Sequence, residues 1–101
     1  MQKYETHFQG SFDDFLNELH SRMQAEKLDE SEHRSDHFRC MVRVYEKYSI
    51  WNRGILSLTI MLTESENGLF VSVISSGWNS SAVEKHLNQV VKIIEEYKCS
   101  K

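Results

Sequence analysis

The sequence predicts an α+β fold: a two-layer sandwich of order β-α-β-β-β-α, with an antiparallel sheet and two helices packed on one face. Three observations carry this. Phe38 to Tyr48 alternates with a period of two, as a half-buried strand does. Apolar stripes at helical spacing lie on either side of the strand-rich middle, at Phe12, Phe15, Leu16, Leu19 and Met23 and again at Val83, Leu87, Val90, Ile94 and Tyr97. Two further strand-like runs, Ile55 to Thr63 and Leu69 to Ser75, are joined through Asn67-Gly68, which supplies the positive-φ residues of a tight hairpin turn.

Each element follows from its residues in order. Tyr4, Thr6 and Phe8 alternate with Glu5 and His7, giving a short first strand. Gly10-Ser11 interrupts it. Ser11 then caps a helix whose first turn holds Asp13 and Asp14, where the helix dipole favours acids. That helix is expected to reach Glu26 or Lys27. Leu28 to Asp36 shows no period and reads as a solvated loop. In the alternating run, Phe38, Cys40, Val42 and Val44 form the expected core face, and Arg39, Met41, Arg43, Tyr45 and Lys47 the outer face. A turn spans Ser49 to Gly54. The next strand points Leu56, Leu58, Ile60 and Leu62 inward and Ile55, Thr59 and Met61 outward. The third run is apolar on both faces, with Leu69, Val71 and Val73 against Phe70 and Ile74. Ser81 and Glu84 read as the capping box of the last helix.

Composition narrows the function classes. The 101 residues make one domain, 1–101, with 40% hydrophobic and 27% charged residues, enough to build a core without staples. A net charge of -3 argues against nucleic acid and anionic membrane as partners, since both require summed positive potential. The order of elements looks like that of double-stranded RNA-binding domains. Those domains, however, grip phosphates with lysines at the start of the last helix, where this chain has Asn79-Ser80-Ser81-Ala82-Val83-Glu84. Cys40 and Cys99 fit no disulfide framework, and no apolar leader or membrane-length run is present, so a cytoplasmic location is expected.

His33, His37 and Cys40 have ligand-like spacing, but no second cluster completes a site, and no metal or other cofactor is expected. No activated Ser or Cys has a base and an orienting group, which points to a non-enzymatic module and to no catalytic residues. Two surfaces remain. The outer sheet face, with Met41, Tyr45, Ile55, Met61, Phe70 and Ile74, is the expected interface of a homodimer. The alternative is an enzyme or a binder of a small anionic ligand at the Ser75–Ser81 turn. Its candidate residues are Ser76 and Trp78 with Arg43, Tyr45, Glu46 and Arg53.

The run Arg39 to Ser49, followed by Asn52-Arg53 and Leu56-Ser57-Leu58, resembles domain-of-unknown-function family 6054. Arg43-Val44-Tyr45-Glu46-Lys47-Tyr48-Ser49 is the most specific part, and the similarity runs more faintly through Val73-Ile74-Ser75-Ser76-Gly77. The resemblance implies a small bacterial protein, from a group mainly in Firmicutes, with no activity and no catalytic residues to carry over.

Overall fold

A computed structural model describes residues 1–49 and 54–100. The elements are β1 (Gln2–Phe8), α1 (Phe12–Arg22), β2 (Glu26–Ser35), β3 (Phe38–Ser49), β4 (Gly54–Ser65), β5 (Gly68–Ser76) and α2 (Ser80–Cys99). The expected α+β architecture is present, with one strand more than the sequence implied. The five strands form a single antiparallel sheet in the order β1-β5-β4-β3-β2.

Local chemistry sets the helix ends. Ser11 Oγ accepts from the Asp14 backbone N–H at 3.4 Å and starts α1. That helix stops at Arg22, about one turn before the expected end, because the chain from Glu26 onward pairs with β3. The cap of α2 is Asn79, two residues before the expected Ser81, and its Oδ1 accepts from Ala82 N–H at 3.0 Å. Both residue types cap well, so composition alone does not choose between them.

The core lies between the helices and one face of the sheet. Leu56, Leu58, Ile60 and Leu62 of β4 and Leu69, Val71 and Val73 of β5 are buried there, as the alternation predicted. Phe15 of α1 meets Phe8 and Tyr97 with ring centroids 4.8 and 5.1 Å apart, which joins β1, α1 and α2 at one point. Full burial of such side chains contributes about 1.5 to 3 kcal/mol each. Tyr4 donates to Glu95 on α2, and burial together with that bond pushes its phenol up to about 12.

Two expectations are corrected. The segment expected as a loop is the edge strand β2, exposed along its whole length. It lacks an alternating signal because neither of its faces contributes to the core. Its four acids (Glu26, Asp29, Glu30 and Glu32) and the register shift at Leu28 discourage pairing with another edge.

The second correction concerns β3. Met41 and Tyr45 are buried beneath the helices at 5% and 1% exposure, while Phe38 is 41% exposed on the opposite face. The pairing register is the cause. Tyr45 lies opposite Leu58 and Met41 opposite Leu62, so odd residues of β3 share a face with even residues of β4. Once Leu58 and Leu62 point to the helices, Met41 and Tyr45 must follow. The helix side accepts the polar members of this set because α1 partners them. The Arg39 guanidinium lies 4.0 Å over the Phe12 ring, and Tyr45 Oη is 3.0 Å from His20 Nδ1.

Candidate functional site

With the helices on one side, no element among the described residues covers the other face of the sheet. Cross-strand pairing orders it into rows. His7, Phe70, Thr63, Cys40 and His33 form one row across all five strands. Glu5, Ser72, Met61, Val42 and Ser31 form the next, followed by Lys3, Ile74, Thr59, Val44 and Asp29. Beyond these, Glu46, Ser57 and Ser76 align on β3, β4 and β5, with the two hydroxyls 2.8 Å apart. On the middle strands Val42, Val44, Met61, Phe70 and Ile74 alternate with the hydroxyls of Ser57, Thr59, Thr63, Ser72 and Ser76, and the charged side chains lie mainly on the edge strands β1 and β2.

The register of β3 strengthens this face. Phe38, Cys40, Val42 and Val44 were expected in the core, yet they join Ile55, Met61, Phe70 and Ile74 on the bare side. Of the expected interface residues, Met61, Phe70 and Ile74 are therefore on the open face, and Met41 and Tyr45 are not. The open-face roles of Val42, Val44 and Phe38 could not be read from alternation, which gives two faces without saying which is which.

Relief on this face differs from end to end. At one end Tyr48 and Ile55, paired across β3 and β4, are 65% and 53% exposed. At the other end a concavity of about 310 Å³ is lined by His7, Phe38, Thr63, Ser65 and Phe70, together with the β4–β5 turn. The His7 and Phe70 rings lie 4.7 Å apart in its wall.

The anion-binding candidates do not converge. Arg43 and Tyr45 face the helices, where Arg43 Nη1 donates to Tyr45 Oη at 3.4 Å and Arg43 Nε lies 3.3 Å from Glu30. Glu46 is on the opposite face, in the row with Ser76. Trp78 is 71% exposed and stands over Gly54 on the helix side, where a Cβ at position 54 would fall 1.9 Å from its Nε1. Arg53 lies outside the described residues. At the Ser75–Ser81 turn, the Asn79 side chain is already engaged in capping α2.

Ion pairs engage several of the other polar side chains. Arg39 bridges Asp13 at 3.1 Å and Glu32 at 2.6 Å, and Arg39 followed by Arg34 holds Glu32 below the usual carboxylate range. His33 and Cys40 face each other across β2 and β3, but no group of three or more metal-ligating side chains forms among the described residues. His86 of α2 is buried, at 5% exposure. Burial, and then Lys47, keeps its imidazole below the ordinary histidine value.

A family model for a family of unknown function, DUF6054, matches residues 1–98 of the 101. The chain belongs to this family. Membership therefore extends well beyond the central run that carries the resemblance in the sequence, and takes in β1 and both helices. No match was found among curated proteins or among solved structures. No helix among the described residues is long and apolar enough to cross a membrane.

Proposed function

We propose that this DUF6054 protein is a cytoplasmic, non-enzymatic interaction module whose open sheet face binds a second copy of the chain. The observation that carries the reading is the contrast between the two faces of one sheet. One is sealed by α1 and α2, whereas the other keeps exposed Phe38 and Ile55 and half-buried Val42, Val44, Met61, Phe70 and Ile74, interleaved with hydroxyls, in the middle strands with no element of the described residues over them. Clustered apolar side chains on an uncovered face support an interaction site.

Size and charge favour a second copy as the occupant. Five strands about 4.8 Å apart and roughly 30 Å long give a face of roughly 700 Å², close to the ~800 Å² per partner of a standard interface. The face carries both signs, with Lys3 against Glu5, Asp29 and Glu46, as a self-complementary surface requires. The charged β2 edge disfavours assembly by strand addition. A cytoplasmic setting agrees with the free thiols of Cys40 and Cys99.

Light scattering coupled to size exclusion tests the reading. The unsubstituted protein is expected to run as a dimer, and Met61→Lys, which puts a charge in the middle of the face, as a folded monomer. A protein that stays monomeric at millimolar concentration would refute it.

A further inference from the structure

We infer that the two copies pack face to face about a two-fold axis crossing the strands at the level of Tyr4, Val73, Ile60, Arg43 and Glu30, so that Tyr48 and Ile55 of each copy seat in the concavity beside Phe38 of the other. This rests on the association proposed above and specifies its geometry. The five named residues are successive cross-strand partners and mark one level through the whole sheet.

The unevenness of the face carries the inference. The exposed apolar pair Tyr48–Ile55 and the 310 Å³ concavity lie at opposite ends of β3 and β4. A two-fold axis across the strands reverses strand direction in the second copy and lays each exposed pair on the other copy's concavity. An axis along the strands would instead bring the two exposed pairs together at one end. It would leave two concavities facing each other at the other end, and interface cores do not tolerate such voids.

Charge agrees with the same axis. Lys3 lies one residue to one side of the level and Glu5 one residue to the other, both on the open face. The rotation sets Lys3 of each copy over Glu5 of its mate, and Val42 over Val44 at the centre. The rotation of about 30° between packed sheets shifts these pairs only within reach of the side chains.

Cross-linking reads the axis directly. The axis sets Ser57 of each copy over Thr63 of the other. In a Cys40→Ser, Cys99→Ser background, the protein carrying both Ser57→Cys and Thr63→Cys is expected to give a covalent dimer with a short bis-maleimide, whose reach covers the spacing of about 10 Å between packed sheets. Neither single substitution should do so. An internal cross-link is out of reach, because six residues of one strand span about 20 Å. A second arm leaves the apolar face intact. Because Lys3 and Glu5 also lie 4.0 Å apart within one chain, the charge swap is split between copies: Lys3→Glu and Glu5→Lys are each expected to weaken self-association about ten-fold, and mixing the two variants to restore affinity in a heterodimer. An unsubstituted protein that dimerises, but whose double-cysteine variant folds without cross-linking or whose charge swap fails to restore affinity, overturns this axis. An unsubstituted protein that never dimerises overturns the association itself, so the two failures are distinct.

Discussion

Replacing Tyr45 with alanine tests which side of β3 faces the core. Its side chain is 1% exposed, lies beneath α1, and has its hydroxyl 3.0 Å from His20 Nδ1. Removing a buried aromatic ring costs about 3 to 5 kcal/mol through lost transfer energy and the cavity left behind. In a domain of about 100 residues, 1 kcal/mol shifts Tm by about 4 to 8 °C, so the variant should melt at least ~12 °C lower. Tyr45→Phe keeps the ring and loses the hydroxyl's bonds to His20 and Arg43, for about 0.5 to 1.5 kcal/mol each. His20 is solvent-exposed and can turn to water, whereas the largely buried Arg43 loses an acceptor, so the Arg43 bond carries most of the loss. Val44→Ala, one residue along on the open face, has a different signature. Its cost in the separated chain should stay below ~1 kcal/mol and should grow with protein concentration, because in the proposed association a second copy adds to the partial cover that Val44 has in one chain. Thermal melts followed by circular dichroism at several concentrations separate the two. Equal losses for Tyr45→Ala and Val44→Ala at the lowest concentration would refute the orientation of β3.

Two further predictions concern stability alone. His86 is held neutral by burial and by Lys47, so its folded-state pKa lies below that of the unfolded chain, about 6.5. The unfolded chain then binds the extra proton. Stability is complete above pH ~6.5 and falls as the pH drops through the window beneath it. His86→Leu should flatten this part of the denaturation profile, and an unchanged slope would contradict it; the losses from Glu30, Glu32, Glu95 and Glu96 appear lower, in the carboxylate range. Gly68 has φ +113°, and an alanine there should cost about 1 to 2 kcal/mol in backbone strain, measured by urea denaturation. The Gln9 side chain, which a Cβ would meet, is exposed and can move aside, so strain dominates and a neutral result would contradict the turn geometry.

What could be read in the sequence depended on how many faces of an element are buried. Both helices announce themselves because each carries one apolar stripe, and β4 because Leu56 to Leu62 alternate against Ser57 and Thr59. β2 does not, because with both faces in water its residues carry no period and only its pairing with β3 makes it a strand. The site was half legible for a related reason. Met61, Phe70 and Ile74 could be placed on the open face because their strands have a clear core side.

The sequence by itself determined the class of fold, the order of helices and most of the strands, and the two distinct faces of β3, since these follow from spacing along the chain. Only the tertiary structure decided which face of β3 looks inward. Alternation is symmetric under exchange of the faces, and the choice is made by register: pairing Tyr45 with Leu58 ties odd residues of one strand to even residues of the next. That pairing leaves Val42, Val44 and Phe38 on the open side and adds apolar side chains to an outer face that otherwise alternates with hydroxyls. It also sends Arg39, Arg43 and Tyr45 under the helices, away from the surface where binding is proposed.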